Sequence, residues 1–349
     1  MALILDGART VADALGQAVG HHLAGRYAKA EALYRLIVDR HPDNAQAHAN
    51  LGMLRLLMGD FAEGWAEFGW RRHGQAGQLA RWRGEPLDGR RILVRGEQGA
   101  GDNIQFLRYL PFLRDRGGEP VVLTLPGMTR LLGALDGAGE VLEPGNEVSG
   151  LACEVPVMDL PEIAGTRLEK VPATIPYLRA EPALVEAWAA RLGPRERRRV
   201  GLCWQGNPGK PRDAERSIPL ARFRHLFDTP DTEWFGLQVG AGEDQVLGLG
   251  AAPNFTHLGA HLGVATDKFV DAAAVIAQLD LVVTVDTAIA HLAGAMGVAV
   301  WILLPQVPDW RWMLGRDDSP WYPSARLFRQ TAAGDWDAPL SAVAAALAA

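Results

Sequence analysis

Residues 281–297, LVVTVDTAIAHLAGAMG, combine an unbroken apolar run, an Asp-Thr pair and a small-residue helix carrying one histidine. The run Leu281–Val285 does not alternate, which is typical of a parallel strand buried on both faces. Asp286 and Thr287 are favoured N-cap types, so the helix should begin where the strand ends, at the ligand crevice of an open α/β sheet. Free amides there, with His291 one turn later, would hold an anion such as a phosphate. The alternative is an ordinary strand–helix junction with a buried histidine.

A second candidate site is the loop RGEQGAGDN at residues 95–103, which follows a strand at Ile92–Val94. It lacks the Lys-Ser/Thr pair of a Walker A loop, and Ile104 stands where a GxGxxG motif has its last glycine. The glycines would allow close approach of a ligand to the backbone and would bring the Asp102 carboxylate to a helix start. Alternatively, Asp102 is only the N-cap of that helix. The backbone positions expected to approach the ligand are Gln98, Gly99 and Gly101.

A similar loop, QGNPGK at residues 205–210, follows the expected strand Val200–Trp204. Glycine, proline and Asn207 shape its turn, and two nearby cations, Lys210 and Arg216, could neutralise a diphosphate. Either cation is otherwise a solvated surface charge. Arg216 is the better candidate because it stands next to a Ser-x-Pro helix start.

The bulk composition bounds the class of protein. The chain has 349 residues, of which 48% are hydrophobic and 22% charged, which suits a globular protein of two or three domains. The net charge of −6 and the lack of a basic run beside aromatic residues argue against a nucleic-acid partner. No segment reaches the roughly 18–20 apolar residues of a transmembrane span, and Asp6 interrupts any signal-peptide core. Cys153 and Cys203 stand alone in apolar runs, as buried thiols do. We therefore expect a cytoplasmic protein.

The first 75 residues contain a repeat. Gly25-Arg26-Tyr27 and Gly59-Asp60-Phe61 lie 34 residues apart, and each precedes an expected helix, at Ala28–Asp39 and Ala62–Arg72. The period resembles that of tetratricopeptide repeats. The small, aromatic, turn and packing positions of that repeat match Ala30, Tyr34, Pro42, Leu51 and Gly52. Two repeats are fewer than the three or so that usually stand alone, so the segment is either a helical cap or a partner-binding groove.

From Arg91 onward, short strands alternate with helices in two successive series. The first has strands at Ile92–Val94, Val121–Leu125 and Val155–Met158, and helices near Ile104–Arg116 and Met128–Leu135. The second has strands at Val200–Trp204, Trp234–Val239, Leu281–Val285 and Ala299–Leu304, and helices near Leu220–Phe227, Lys268–Leu279, Thr287–Met296 and Trp336–Ala348. Two such series predict two Rossmann-like domains with a cleft between them. We therefore expect an α/β fold, with helical repeats over 1–75, Rossmann-like domains over 90–180 and 198–349, and the last helix packing back on the first of these.

Four segments together resemble bacterial tetratricopeptide-repeat glycosyltransferases, which are related to the ADP-heptose:lipopolysaccharide heptosyltransferases and more distantly to the O-GlcNAc transferases. They are GEQGAGDNIQFLRYLP, CWQGNP with RSIPL, VDTAIAHLAGAMG, and LLPQVPDWRWMLGRDDSPWYPSARLFRQ. The resemblance covers nearly the whole chain. It implies a GT-B fold, in which two Rossmann domains face each other and the C-terminal one holds most of the nucleotide-sugar donor. It also implies inverting transfer that needs neither a metal nor a cofactor.

The resemblance further implies roles for individual residues. The aspartate of the first glycine-rich loop, which is the proposed base in the heptosyltransferases, matches Asp102. Their basic residue before an aromatic-Pro pair contacts the diphosphate and matches Arg216, although Ile218 replaces the aromatic residue here.

Two more elements of the family's donor site have counterparts in this chain. The family's Asp-Thr-Gly-x-x-His helix start holds the diphosphate, and Ala288 replaces its glycine here. The residues that match this helix start are Asp286, Thr287, Ala288 and His291. The family's acidic ribose contact matches Glu243 loosely, and Glu243 is otherwise the first turn of a helix.

Three other features have plainer explanations. The triplet Asp335-Trp336-Asp337 resembles a metal-binding Asp-x-Asp, but capping of the last helix explains it better. His257 and His261 are four residues apart in a Gly-rich segment that we expect to be a loop. The aromatic residues of Pro308–Trp312 and Trp321-Tyr322 either stack on a base or sugar or pack a long loop against the domain.

Two functions are consistent with this sequence. One is a metal-independent glycosyltransferase that moves a sugar from a nucleotide-sugar to a hydroxyl of a protein or glycan held by the repeats. The other is a non-catalytic scaffold with a degenerate transferase domain. A dinucleotide-dependent oxidoreductase is disfavoured because neither glycine loop carries that fingerprint. The presence of Asp102, Arg216, Thr287 and His291 in one chain favours the enzyme.

Overall fold

The computed structural model describes residues 10–75, 77–262 and 267–349, and these residues form two compact units. The helical unit contains the described residues up to Gln78, with Pro161–Val171 and Gln306–Arg316. The α/β unit contains Leu79–Leu160, Pro172–Pro305 and Asp317–Ala349. Asp6, on which the argument against a signal peptide rests, lies outside the described residues.

The helical unit is built from two pairs of helices. They are α1 (Val11–Leu23), α2 (Tyr27–Arg40), α3 (Ala45–Leu57) and α4 (Phe61–Phe68), followed by a 3-10 turn at Gly69–Arg72. Helix α1 packs on α2 and α3 packs on α4. Glycines allow the close approach within the second pair, since a Cβ on Gly52 would overlap the backbone of Phe68 and one on Gly64 would lie 2.8 Å from Leu56. Both helices predicted from the repeat are confirmed, although the second ends in 3-10 geometry.

Trp310 completes the aromatic core of the helical unit. Its ring centroid lies 5.4 Å from that of Trp65 and 5.8 Å from that of Phe68. The guanidinium of Arg311 covers the same indole at 4.2 Å. Trp310 and Trp312 are both buried, so these indoles pack inside the protein, as the packing interpretation of this loop predicts.

The α/β unit begins with a four-stranded sheet. Its elements are β1 (Arg91–Arg95), α5 (Ala100–Phe106), α6 (Leu110–Asp115), β2 (Glu119–Leu123), α7 (Thr129–Gly133), β3 (Glu140–Leu142) and β4 (Leu151–Pro156). Helix α8 (Leu160–Ile163) follows, and all of it but Leu160 belongs to the helical unit; the chain then returns to the α/β unit and forms α9 (Pro182–Leu192). All strands are parallel, in the spatial order β3-β2-β1-β4. The middle of β1 is fully buried, as expected for a strand covered on both faces. Strand β1 therefore delivers the glycine-rich loop from the centre of the sheet.

A six-stranded parallel sheet follows. Its elements are β5 (Arg198–Cys203), α10 (Asp213–Arg216), a 3-10 helix at Leu220–Asp228, β6 (Thr232–Gly236), β7 (Phe255–His257), α11 (Gly259–Leu262), α12 (Val270–Ile276), β8 (Leu281–Val285), α13 (Ala288–Ala295), β9 (Val300–Leu304), β10 (Ala325–Arg329) and α14 (Asp337–Ala348). The order β10-β9-β8-β5-β6-β7 is that of a Rossmann fold whose first strand is β5. Both predicted α/β series are thus confirmed.

Three features depart from the expectations. The prediction omits β3, β7 and β10, which are edge strands without a continuous apolar run. The prediction of a loop around His257 and His261 is wrong, because His257 ends β7 and His261 lies in α11. The last helix was expected on the first Rossmann-like domain, but Leu340, Val343 and Leu347 of α14 lie in the core of the second sheet.

The cysteines and the helix lengths both bear on expectations from the composition. Cys153 and Cys203 are buried free thiols, as predicted. Within the part of the chain that the structure describes, no helix has both the length and the apolar content needed to cross a membrane.

Candidate functional site

The strand order reverses at one point in each sheet, between β1 and β4 in the first and between β5 and β8 in the second. Ligands of open α/β sheets bind at such switch points, outside the carboxyl ends of the strands. Strand β1 ends at the loop of residues 95–103, β5 ends at the loop of residues 205–210, and β8 ends at Asp286. The topology therefore places all three predicted motifs where a ligand would bind.

The glycine-rich loop after β1 is held by the buried amide of Asn103. Its Nδ2 donates to the carbonyl oxygens of Glu97 at 3.0 Å and Gly99 at 2.7 Å. A Cβ on Gly96 would overlap Asn103 Oδ1, so glycine is required at the start of the loop. Gln98 lies exposed at the tip with a φ of 57°. Sequence reasoning missed Asn103, although a buried amide directly after a glycine loop is a signal for this kind of support.

Asp102 lies in the first turn of α5. Its Oδ2 accepts a hydrogen bond from the amide of Gly99 at 2.8 Å, and Gly99 is the N-cap residue. The carboxylate therefore caps the helix, but this bond also fixes its position at the end of the loop. A role of Asp102 as a base, in addition to capping, stays a prediction.

The loop that carries Asp102 touches the helix start that carries His291. A Cβ built on Gly101 would lie 2.6 Å from Cδ2 and 3.3 Å from Nε2 of the His291 ring. Helix α5 follows a strand of the first sheet and α13 follows a strand of the second, and the two helices are in contact. The structure thus brings together two motifs that lie far apart in the sequence.

Arg216 lies at the switch point of the second sheet. Its Nε donates to Asp213 Oδ1 at 3.0 Å, and its Nη1 lies 4.0 Å from Asp286 Oδ2. A Cβ on Gly206 would lie 2.7 Å from Arg216 Nη2, so the glycine makes room for the guanidinium. Asp213 is buried and also accepts from Ser217 Oγ at 3.0 Å. Sequence reasoning missed Asp213, which the three-residue spacing to Arg216 could have indicated.

Helix α13 begins directly after β8, at the switch point of the second sheet, and its N-cap side chain makes no capping hydrogen bond. Thr287 is the N-cap residue, but its hydroxyl lies 3.1 Å from Thr284 Oγ1 and 3.8 Å from Cys203 Sγ. Ala288 is the first helical residue. Burial raises the pKa of the Cys203 thiol, as is typical of a buried structural cysteine. Amides at a helix start, together with a nearby guanidinium, form a typical anion site.

The side chain of His291 is buried beneath this helix start. Its Nδ1 lies 2.9 Å from the hydroxyl oxygen of Tyr322. Tyr322 and Trp321 are themselves fully buried, so their rings are part of the support of the site. Sequence reasoning gave neither residue this role.

The remaining predicted residues lie in the surrounding loops. Asn207 Oδ1 accepts from the amide of Gly209 at 2.9 Å, which makes a local turn, and both Asn207 and Lys210 are exposed. Glu243 begins a 3-10 helix and accepts from the amide of Gly240. Its other oxygen lies 3.8 Å from Nε2 of His257. Desolvation lowers the pKa of His257, partly offset by Glu243. Glu243 is therefore engaged by its own turn, as the plainer interpretation predicts.

Gln238 connects the loops that border the switch point. Its Oε1 accepts from the amides of Trp204 at 3.2 Å and Gln205 at 3.0 Å. Its Nε2 donates to the carbonyl oxygens of Gln205 at 3.1 Å and Ala241 at 2.8 Å. One buried amide thus fixes the end of β5 relative to the loop before Glu243, and sequence reasoning missed it.

Comparisons with known proteins agree with this architecture. No protein-family model matches the chain. Protein FlbA of Caulobacter vibrioides is 29% identical over 296 residues, which is 76% of this chain and 48% of FlbA. The chain therefore spans about half the length of that curated relative.

Two solved structures share the fold. A glycosyl transferase family 9 protein from Veillonella parvula is 12% identical with a TM-score of 0.51, over 71% of this chain and 88% of its own. The ADP-heptose lipopolysaccharide heptosyltransferase II of E. coli is 14% identical with a TM-score of 0.53, over 74% and 98%. The chain therefore has the mixed α/β fold with parallel sheets of these glycosyltransferase structures.

Proposed function

We propose that this protein is an inverting, metal-independent glycosyltransferase that uses a nucleotide-sugar donor. The observation that supports the proposal is the contact of Gly101 with His291, where the loop that carries Asp102 meets the helix start that carries His291. Sugar transfer needs both elements: a base for the acceptor hydroxyl and positive charge for the departing diphosphate. The likeness in fold to glycosyltransferase structures supports the same reaction class.

In the proposed reaction, the acceptor hydroxyl oxygen forms a bond to the anomeric carbon of the donor sugar. Its proton passes to the carboxylate of Asp102. The bond between the anomeric carbon and the diphosphate oxygen breaks on the opposite face, so that the anomeric configuration inverts. Arg216 and the first amides of α13 stabilise the charge that develops on the departing nucleoside diphosphate. Asp213 and Asp286 hold the guanidinium in place, as their distances to Arg216 indicate.

The helical unit is proposed to be a pair of tetratricopeptide-like repeats that binds a protein or glycan acceptor. Its support is the 34-residue spacing of the Gly-x-aromatic triplets and the pairwise packing of α1 on α2 and α3 on α4. The two free thiols, Cys153 and Cys203, agree with a reducing compartment, and we propose a cytoplasmic location.

A thermal-shift panel tests the proposal. The protein is heated with ADP, GDP, UDP and CDP, and with sugar conjugates of these nucleotides. A ligand at about 100 times its Kd stabilises the folded state by about 2.7 kcal/mol, so at least one nucleotide should raise Tm by several degrees. The sugar conjugate of that nucleotide should then release the nucleoside diphosphate when acceptor is added. If no nucleotide changes Tm at millimolar concentration, the proposal of a glycosyltransferase fails and the non-catalytic scaffold is the better interpretation.

Replacement of Arg216 by alanine should weaken binding of the nucleoside diphosphate identified in that panel. A charge-assisted hydrogen bond contributes about 1.5–3 kcal/mol, so Kd should rise roughly 10- to 150-fold, as measured by calorimetry. Arg222→Ala is the matched control, because Arg222 forms an exposed ion pair with Asp337 at 2.8 Å. Tm is measured for both variants, since the buried Asp213 loses a partner in Arg216→Ala. Unchanged nucleotide affinity in that variant would remove Arg216 from the site.

Sugar transfer should persist in excess EDTA. Asp335 Oδ1 accepts from the amides of Asp337 at 3.1 Å and Ala338 at 3.4 Å, so the Asp-x-Asp triplet acts in capping α14. The proposed charge stabilisation comes from a guanidinium and helix amides, which EDTA does not remove. Release of nucleoside diphosphate is followed with and without the chelator. Activity that EDTA abolishes and Mn²⁺ or Mg²⁺ restores would contradict this expectation.

A further inference from the structure

A pocket of about 370 Å³ lies beside the second sheet, apart from its switch point. The lining includes Arg191, near the end of α9, together with Arg197 and Asn254, which precede β5 and β7. Arg197 and Asn254 thus lie at the amino ends of their strands, whereas the motifs of the candidate site follow the carboxyl ends of strands. Among the described residues that line the pocket, none belongs to those motifs. The volume is within the range of small-molecule sites.

Neutral groups hold the guanidinium of Arg191 in place. Its Nη2 lies 3.1 Å from Nδ1 of His261, and this nitrogen must accept because a guanidinium has only donors. The Arg191 Cζ also lies 5.0 Å from the ring centroid of Trp188. Arg191 forms no ion pair with a carboxylate of the described residues, so its charge is left for a ligand.

Arg197 is held in the same way. Its Nη1 donates to Asn254 Oδ1 at 3.0 Å, and Asn254 Nδ2 donates to the carbonyl oxygen of Phe227 at 3.1 Å. Glu233 also lines the pocket, but its Oε2 lies 3.8 Å from Nε of the buried Arg199. Within the part of the chain that the structure describes, Arg197 has no ion-pair partner. The pocket therefore has two guanidinium groups that are held by neutral acceptors.

The turn between α9 and β5 is fixed by Arg199. This residue is 2% exposed, and its Nη2 donates to the carbonyl oxygens of Gly193 at 2.8 Å and Pro194 at 3.0 Å. The turn has Arg191 before it and Arg197 at its other end. The backbone that carries the two guanidinium groups is therefore held before a ligand binds, which reduces the entropic cost of binding.

We propose that this pocket binds the phosphate group of a small phosphorylated molecule. Guanidinium groups match the geometry of phosphate oxygens. A phosphate monoester carries about 1.5 to 2 negative charges at pH 7, which matches the charges of Arg191 and Arg197, whereas one carboxylate matches only one of them. Leu192, Phe235 and Leu258 give the lining an apolar part that covers the rest of the ligand. The inference is independent of the proposed transferase reaction, because it uses no residue of the donor site.

Calorimetry with phenyl phosphate tests this proposal. The ionic strength is held constant with chloride, because salt screens exposed charges. Phenyl phosphate should bind about tenfold more tightly than benzoate, which has the same ring but a single charge. Arg191→Ala and Arg197→Ala should each raise the Kd for phenyl phosphate about tenfold, as expected for the loss of a charge-assisted hydrogen bond. Both arginines are exposed, so Tm should change little in either variant.

Two further variants show where the phosphate binds. Arg195→Ala removes a cation of the same turn that lies outside the pocket and pairs with Asp280, so it should leave the Kd for phenyl phosphate unchanged. Arg216→Ala alters the proposed donor site and should also leave it unchanged. If Arg216→Ala abolishes binding instead, the phosphate occupies the donor site and the proposal is wrong.

Three other results would also overturn the proposal of a phosphate pocket. They are native affinity in the double variant Arg191→Ala/Arg197→Ala, equal affinity for benzoate and phenyl phosphate, and no measurable binding of phenyl phosphate at millimolar concentration. Failure of every nucleotide in the thermal panel would remove the proposed transferase function and leave the result for this pocket unaffected.

Discussion

Substitution of Asp102 by asparagine is expected to lower the rate of sugar transfer by about 10²- to 10⁴-fold, the usual contribution of a general base. Asparagine has the same size, and its side-chain oxygen can still accept from the Gly99 amide, which lies 2.8 Å from the carboxylate. Folding and donor binding should therefore stay nearly unchanged. The transfer rate, the nucleotide affinity and Tm are measured on the same preparations.

The chain contains a matched control for this substitution. Asp13 holds the same position in α1 as Asp102 holds in α5, because its Oδ2 accepts from the amide of the N-cap residue Thr10 at 3.0 Å. Asp13→Asn should thus have the same local effect on a helix start without a change in transfer. In both positions alanine removes this hydrogen bond, which should cost about 1 kcal/mol of stability. If Asp102→Asn turns over normally, Asp102 is a cap alone and the base lies elsewhere.

Local patterns predicted the parts of the site that depend on neighbouring residues. The five apolar residues of β8 and the cap at Thr287 place the start of α13 where the structure has it. The same holds for the first glycine loop and its helix. These elements are specified by burial on both faces and by capping, which act over a few residues.

The supporting contacts could not be predicted in this way, because they join residues that are distant in the sequence. Arg108 stands between apolar residues in the sequence, and its partners include a phenol and a carbonyl oxygen of remote segments. Trp310 lies between β9 and β10 of the second sheet in the chain, but it packs in the helical unit against Trp65. Short edge strands such as β7 depend on pairing with β6 and carry no pattern of their own.

Substitution of Gly101 by alanine is expected to lower transfer by about 10²-fold, the effect of a misplacement of about 1 Å at a reacting group. The added methyl group would lie 2.6 Å from Cδ2 of His291, so either the loop that carries Asp102 or the imidazole must move. Alanine itself favours a helix by about 1 kcal/mol over glycine. Any loss must therefore come from the contact and not from the backbone of α5.

Two further measurements isolate this contact. Gly133→Ala in α7 is the matched control, because a Cβ there meets no described atom within 4 Å, and it should leave transfer unchanged and Tm equal or higher. A double-mutant cycle with His291→Ala then reports the coupling between positions 101 and 291 through unfolding free energies. Contacting residues couple by about 0.5–3 kcal/mol, so removal of the imidazole should relieve the strain of Gly101→Ala. Additive free energies would mean that the two motifs do not touch, and the proposed site would lose the contact on which it is built.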